Sequence, residues 1–391
     1  MATYNRKHHN WLLALKQLGS DGTYPDYPVA GGILARGNDF APNTEITTED
    51  WTGHTGGDSL VIQSDRTDAS SSPQYTHKML LGECIEEYLF MALGSHDTVT
   101  AAITNATTAK KWKIYKDGST AKILPVATLI NQYSATLKDA VIYNNAVMDT
   151  LEITIDNNGW SVTPQFKSDV EIPNQPNQPR TLSSSIIKLP KNNTKLYIAP
   201  TNVTLTSSNK DNYAYDCLTS NTLTIRNNLE ESDCLNTEFG KQNADKGDFE
   251  IEGTAEFNWN PASAFLYDEW LTGQPHGVYA TETPLFKQIL LECEGGLIET
   301  VGSNPGTPVN ASISIWLPYV EISNCDLGNL SGDDKRTITA TYNLRANGTA
   351  NPIEVTIINA LSALHYGTEL EIDTDDVGST TIIGVDLPDD S

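Results

Sequence analysis

The sequence predicts a mainly β protein with two tandem β-sandwich domains, each with one flanking α-helix, and extended arms at both ends. Three observations support this prediction: several segments alternate apolar and polar residues, two segments have helical periodicity, and one order of elements occurs twice. Alternation with period two places apolar side chains on one face of a strand and polar side chains on the other. We therefore expect half-buried antiparallel strands around an apolar core.

The clearest alternation lies in residues 249–259 (FEIEGTAEFNW), where apolar residues and Gly occupy the odd positions and polar residues the even ones. The same pattern occurs in residues 150–156, 160–167 and 336–345. Residues 157–159 (NNG) separate two of these strands and predict a hairpin turn, because Asn and Gly tolerate positive φ.

Helical periodicity occurs in residues 78–93 and in residues 262–272. Asn260 is the expected N-cap of the second helix, and a glycine follows each helix as a C-cap signal. In the first helix, three glutamates are expected on the side opposite the apolar face: Glu83, Glu86 and Glu87.

The order strand, helix, strands and long hairpin occurs twice, with Val141 lying 47 residues beyond Gly94 and Val320 lying 47 residues beyond Gly273. This repetition predicts a diverged internal duplication. The predicted organisation is an N-terminal arm (1–56), a first sandwich domain (57–175), a linker (176–200), a second sandwich domain (201–366) and an acidic C-terminal tail (367–391).

Composition narrows the possible functions. The chain has 50 acidic and 25 basic residues and a net charge of -25, which argues against a protein that grips nucleic acid through its phosphates. The 5 cysteines form no Cys-x-x-Cys pair, so neither a zinc ribbon nor a redox motif is predicted. No signal peptide or membrane span is predicted, and we expect a soluble protein made in a cytoplasm.

Motifs of catalysis are missing from the sequence. It contains no phosphate-binding loop, no nucleophile elbow and no zinc-protease helix. The 7 histidines show no metal-ligand spacing. We therefore expect no enzymatic activity, no cofactor and no bound metal.

Five segments in the second half resemble the major tail tube proteins of long-tailed, siphovirus-like viruses of bacteria and archaea. These segments are LTIRNNLE (223–230), GDFEIEGTAEF (247–257), FLYDEWLTGQ (265–274), ISIWLPYVEIS (313–323) and DDKRTITATYNLRANG (333–348). The first half is similar in outline, through EYLFMALGS (87–95) and DAVIYNNAVMDTLEITIDNNGW (139–160). The resemblance covers residues 59–360.

The resemblance implies sandwich domains of the tail-tube type that pack side by side into rings, whose inner sheets join into one barrel. Stacked rings would form a hollow tube in the virion tail, assembled from chains made in the host cytoplasm. A duplicated domain suggests a homotrimeric ring with pseudo-sixfold symmetry. The implied partners are further copies of the chain, the tape measure, tail terminator and distal tail proteins, and double-stranded DNA in transit without sequence specificity; no membrane is involved.

On this hypothesis the polar strand faces line the channel, and their acidic character lets DNA pass, because duplex DNA carries about one negative charge per 1.7 Å. The alternative for each strand is a position in the outer sheet, where the polar face meets solvent. The candidate channel-lining residues are Glu250, Glu252, Glu256, Thr337, Thr339, Thr341, Glu152, Thr154 and Asp156.

Segments outside the sandwiches are expected to bridge stacked rings by strand addition: residues 17–56, 229–247 and 367–391. The candidate inter-ring contacts within them are Asp39, Phe40, Cys234, Phe239, Ile382, Ile383 and Val385.

Two other functions remain open from the sequence. One is a two-domain β-sandwich adhesin or surface glycan-binding protein, in which the Asn-x-Ser/Thr triplets at Asn105, Asn192, Asn202, Asn310, Asn329 and Asn347 would carry glycans. The other is a glycoside hydrolase, which would need two carboxylates about 5 to 9 Å apart in a cleft.

Overall fold

A computed structural model describes most of the chain and confirms a mainly β fold, with two α-helices in the described part. The described residues are 10–16, 33–34, 40–55, 58–82, 85–118, 124–132, 140–175, 187–231, 244–245, 247–273, 284–302, 306–328, 336–346, 348 and 351–361.

Each half of the described chain consists mainly of strands and carries one α-helix. The N-terminal half contains β1 (Asn10–Lys16), β2 (Ile33–Leu34), β3 (Phe40–Ala41), β4 (Thr44–Thr55), β5 (Asp58–Ser71), β6 (Gln74–Tyr75), β7 (His77–Lys78), β8 (Leu80–Leu81), α1 (Ile85–Leu93), β9 (Ser95–His96), β10 (Thr100–Ala101), β11 (Lys110–Tyr115), β12 (Val126–Gln132), β13 (Ala140–Asp156), β14 (Gly159–Lys167) and β15 (Ile172–Gln175). The C-terminal half contains β16 (Ile187–Lys188), β17 (Thr194–Pro200), β18 (Ala214–Tyr215), β19 (Leu218–Arg226), β20 (Glu230–Glu231), β21 (Ala244–Asp245), β22 (Glu250–Asn258), α2 (Pro261–Thr272), β23 (Leu285–Val301), β24 (Thr307–Leu327), β25 (Thr337–Leu344) and β26 (Glu354–Asn359), with 3-10 helices at Lys191–Asn193 and Lys210–Tyr213.

One set of antiparallel pairings occurs in both halves. In the N-terminal half, β1 pairs with β2 and β12, β12 with β13, β13 with β14 and β15, β14 with β6 and β7, β3 with β6, and β4 with β5. In the C-terminal half, β17 pairs with β18 and β23, β23 with β24, β24 with β25 and β26, β25 with β22, β19 with β22, and β20 with β21. The topology of these pairings therefore repeats, with β6 and β7 together corresponding to β22.

Register irregularities also repeat, and they define which residues correspond. The ladder between β12 and β13 shifts at Thr128, and the ladder between β23 and β24 shifts at Gln288. Ala146 pairs with Ala127 just before the first shift, as Val320 pairs with Lys287 just before the second. Val320 thus corresponds to Ala146, and the match to Val141 suggested by equal spacing was wrong by five residues. The N-terminal half has the additional strands β9, β10 and β11 between its helix and β12.

Within the described residues three pairings join the halves, one of them the short pairing of β8 with β16. Residues 150–155 of β13 pair with β19, and β11 pairs with β26 along its whole length. Strands of both halves therefore belong to one continuous 20-stranded sheet, and the division into two sandwich domains stays a prediction. The first strand, β1, pairs with β12 over seven residues, which differs from the expected arm up to residue 56.

The helices confirm one boundary prediction and correct another. In α2, the Asn260 side chain accepts a hydrogen bond from the Ser263 amide at 2.9 Å, and Gly273 ends the helix in the left-handed region at φ 72°. The first helix begins at Ile85 rather than residue 78, because residues 77–81 form the short strands β7 and β8. Gly82, at φ 76°, then turns the chain.

The expectation that the glutamates of α1 face solvent was wrong. Glu86 and Glu87 are fully buried; Glu83 lies outside the described residues. The Gly82 amide donates to Glu86 Oε1 at 3.0 Å, and Asn359 Nδ2 also donates to that oxygen. Asn359 lies in β26 of the other half, so α1 is covered on the side that local periodicity assigned to solvent.

Candidate functional site

The candidate residues from both halves lie on one surface. Six segments pair side by side: β14, residues 150–156 of β13, β19, β22, β25 and residues 320–327 of β24. We call this six-stranded region the shared sheet. It crosses from the N-terminal half to the C-terminal half at the pairing of β13 with β19.

Cross-strand register places every nominated channel-lining residue on the same face, because residues directly opposite in an antiparallel pair point to one side. One row runs across the sheet through Thr163, Glu152, Thr224, Glu252, Asn343 and Glu321. The next row contains Ser161, Thr154, Thr222, Thr254 and Thr341. Beyond it, Glu256 pairs with Thr339 and Asn258 pairs with Thr337, while Glu250 and Asp156 occupy positions of the same parity. We call this surface the polar face.

The opposite face of the shared sheet is apolar and buried. Its buried residues include Ile153, Leu223, Ile251, Ala255, Ile338 and Tyr342. The nominated residues on the polar face are half-buried, apart from Glu250, which is exposed. The sheet therefore has the two chemically distinct faces predicted from the alternation in its strands.

Acidic side chains outnumber basic ones on the described polar face. The carboxylates are Glu152, Asp156, Glu250, Glu252, Glu256, Glu321 and Asp326, and the cations are Lys78, Lys167, Arg226 and Arg345, the last of which directly follows β25. The Lys167 ammonium donates to the Leu229 carbonyl at 2.7 Å. The surface that the sheet presents is therefore negative.

Two ion pairs of the described residues involve carboxylates of these rows, and each joins adjacent strands; in one of them Arg345 Nε lies 2.6 Å from Glu321 Oε2. In the other, Arg226 Nη1 lies 3.0 Å from Glu252 Oε2, with side chains 37% and 46% exposed. Solvent screens a pair this exposed, so it contributes about 0–1 kcal/mol. Thr154 donates to Glu152 at 3.2 Å, and Ser220 donates to Glu256 at 3.2 Å. These hydrogen bonds orient carboxylates without neutralising them.

A close contact beneath the polar face holds three strands in register. Gly253 of β22 lies opposite Tyr342 of β25, and a Cβ on Gly253 would fall 2.2 Å from Tyr342 Cζ. The Tyr342 hydroxyl accepts a hydrogen bond from Asn221 of β19 at 3.2 Å. Burial raises the pKa of Tyr342 to about 12. Glycine is required here because the aromatic ring occupies the space of a side chain.

The nominated inter-ring residues lie almost entirely outside the described part of the chain. Phe40 lies in β3, whose neighbour in the sheet is β6. Asp39, Cys234, Phe239, Ile382, Ile383 and Val385 fall outside the described residues.

Sequence reasoning missed the contribution of β19 and β14 to the polar face. Thr222, Thr224 and Arg226 stand between the nominated residues of the two halves. Their alternation in LTSNTLTIR was visible, but the pairing of β13 with β19 was not, because it joins residues about 70 positions apart with no local signal.

Other kinds of site find little support in the described residues. Within them, no group of three or more His, Cys, Asp or Glu side chains could hold a metal ion. Two surface depressions of about 450 and 460 Å³ each have a single aromatic side chain in their lining, Tyr215 in one and Phe249 in the other. The adhesin alternative predicts a pocket lined by several aromatic side chains, and neither of these two depressions has such a lining.

Comparisons with known proteins add no family assignment. A scan against protein-family models and a search of curated proteins both end without a significant match. Neither α1 nor α2, the helices of the described region, has the length and apolar character needed to cross a membrane.

Proposed function

We propose that this chain is a structural virion protein that self-assembles into stacked rings, forming the hollow tail tube through which viral double-stranded DNA passes. The observation that supports this most strongly is the shared sheet: candidate residues chosen separately in the two halves lie side by side on one polar face. A sheet that continues from one half into the next has the geometry needed to continue from one chain into another.

The chemistry of the polar face suits passage rather than binding. Proteins that hold DNA neutralise its phosphates with Lys and Arg. Here the basic side chains are few, and Arg226 already contacts Glu252 at 3.0 Å. Carboxylates repel the phosphate backbone, and threonine hydroxyls leave a hydrated surface without fixed positive charge. DNA inside such a channel would therefore meet no site at which to stop.

The repeated topology suggests how many chains form a ring. Two copies of one pairing scheme per chain allow three chains to form a ring with pseudo-sixfold symmetry. The tape measure, tail terminator and distal tail proteins would contact the ends and the inside of the assembled tube.

Negative-stain electron microscopy of the concentrated, purified protein tests this proposal directly. Hollow tubes of stacked rings are expected, and rotational averaging of end views would distinguish three duplicated chains from six. Particles that remain monomeric at high concentration, including in the presence of tape measure and distal tail proteins as initiators, would contradict the proposal.

A charge reversal tests the role of the polar face in the assembled tube. Glu252→Lys replaces a carboxylate beside Arg226 with a second cation, repeated in every ring of the stack. We expect tubes of this variant to retain linear double-stranded DNA at low salt and release it as salt rises, because phosphate contacts are salt-dependent. Glu294→Lys reverses an exposed charge on β23, outside the shared sheet, and should bind DNA as weakly as the wild type. Equal retention by both variants would place the polar face outside the channel.

A further inference from the structure

The two helices correspond in the repeated topology but differ in burial. Gly94 and Gly273 end them in the same way, with amides donating to the carbonyls of Phe90 at 2.7 Å and Glu269 at 2.8 Å. This alignment matches Tyr88 with Tyr267, Met91 with Trp270 and Ala92 with Leu271. The three residues of α1 are fully buried, whereas Tyr267 and Trp270 are half-exposed and Leu271 is 53% exposed.

The residue that follows the strand upstream of each helix, Met79 after β7 and Trp259 after β22, shows the same difference. The amide of Met79 donates to the Trp160 carbonyl at 3.1 Å, and the amide of Trp259 donates to the Arg336 carbonyl at 2.8 Å. Met79 is 1% exposed, but its counterpart Trp259 is 39% exposed. Tyr267 and Trp270 pack partly on the core with their ring centroids 5.9 Å apart, and the Arg336 guanidinium lies 3.8 Å from the centroid of the Trp259 ring. Trp259, Tyr267, Trp270 and Leu271 are thus partly exposed apolar residues, and we call them the α2 face.

Elements of the C-terminal half cover α1. Asn227, which follows β19, donates to the Ala92 carbonyl at 3.2 Å. Asn359, at the end of β26, donates to Glu86. The edge beside the helix is also occupied, since residues 150–155 of β13 pair with β19. Helix and edge are thus covered by the following half of the same chain.

The corresponding positions beside α2 lack such a cover within the described chain. Residues 324–327 of β24 correspond to residues 150–153 of β13, but among described strands they pair with β25 alone. The counterparts of β19 and β26 in the N-terminal half are β3 and β15. In the described chain each of these pairs on one side only, β3 with β6 and β15 with β13.

We infer that the α2 face and the free edge of β24 receive the N-terminal half of a second copy of this chain, which presents its β3 and β15. The contact repeats between chains what the C-terminal half does to α1 within one chain. The contact would extend the shared sheet beyond β24 in the same way that the pairing of β13 with β19 extends it within one chain. This inference rests on the proposed ring assembly and specifies the surface through which neighbouring chains join.

A pair of matched variants tests the surface. Leu271→Asp places a charge on the α2 face, whereas Leu297→Asp places one on β23 at a residue that is 60% exposed. We expect Leu271→Asp to raise the concentration for half-assembly about 30-fold or more, because an apolar interface anchor is replaced by a charge. Leu297→Asp should assemble like the wild type. Sedimentation velocity and electron microscopy would measure both, with circular dichroism of the monomer to verify folding.

Photo-crosslinking identifies the occupant. With p-benzoylphenylalanine in place of Trp270, and an equal mixture of isotopically light and heavy chains, we expect crosslinks between chains to residues 40–43 or 172–175. Crosslinks between chains to any other region would overturn the inference, as would unchanged assembly of Leu271→Asp. In either case wild-type tubes would still support the proposed function. A wild-type chain that never assembles would overturn both proposals.

Discussion

The two halves of this molecule use one set of strand pairings but place their helices in different surroundings. Glu86 and Glu87 of α1 are fully buried, whereas Phe265, the counterpart of Glu86, is half-exposed on α2. Topology alone therefore does not decide burial, because α1 is enclosed by the half that follows it. The comparison teaches that the position of an element next to a junction can reverse the polarity expected from its own periodicity.

The largest expected difference in unfolding free energy is between the same substitution made at corresponding positions of the two helices. Ala92→Asp buries an unpaired carboxylate at a fully buried site and should cost about 5 kcal/mol or more of unfolding free energy. Leu271→Asp should change the stability of the monomer by less than about 0.5 kcal/mol. Urea denaturation below the assembly concentration would measure both. Similar losses for the two variants would mean that the helices do not differ in burial in solution.

A buried ion pair distinguishes the second helix in a different way. Lys287 Nζ lies 2.7 Å from Glu269 Oε2, with side chains 6% and 3% exposed, and the corresponding residues of the N-terminal half are Ala127 and Phe90. Lys287→Met leaves the Glu269 carboxylate buried alone and should cost about 3–5 kcal/mol. Adding Glu269→Leu should recover most of that loss, measured by chemical denaturation. A double variant as unstable as the single one would show that this site needs its charges.

The smallest expected effect is on the pH dependence of stability, which the buried Glu86 of α1 should change and for which α2 has no counterpart, since Phe265 occupies that position. Burial, followed by the neighbouring Glu87 carboxylate, raises the pKa of Glu86 from 4.5 to about 7. The folded state therefore favours the protonated form of Glu86. The stability that this preference contributes is present below pH 4.5 and is lost as the pH rises towards 7.

Glu86→Gln mimics the protonated acid and should remove this part of the pH dependence, which is at most about 1.4 kcal/mol per pH unit. Because other groups titrate in the same range, the measured quantity is the difference in unfolding free energy between wild type and variant. A difference that stays constant from pH 5 to pH 7.5 would contradict the assignment.

Local patterns predicted a large part of the fold. Alternation in residues 150–156 and 249–259 correctly assigned the buried and polar sides of β13 and β22, because the two faces of a strand differ within a few residues. The cap at Asn260 and the turn at residues 157–158 were equally local and were confirmed.

Contacts between distant segments could not be predicted. The polar face required the pairing of β13 with β19, and the burial of Glu86 required Asn359, 273 residues away. Equal spacing was also misleading, since the additional strands β9 to β11 shift the correspondence between the halves. The sequence thus predicted the faces of strands, while the surface made by joining them depended on tertiary pairing.

The pairing of β11 with β26 has a consequence for synthesis. Trp112 and Asn359, which share a hydrogen bond across these strands, are 247 residues apart. At translation rates of about 5–20 residues per second, β11 waits roughly 10 to 50 seconds for its partner. Lys110, Lys111 and Lys113 give this waiting edge a positive charge that opposes pairing with other nascent chains. Once β26 has been synthesised, Lys113 contacts Glu354 at 3.0 Å, so one of the lysines that oppose pairing with other nascent chains also stabilises the native pairing.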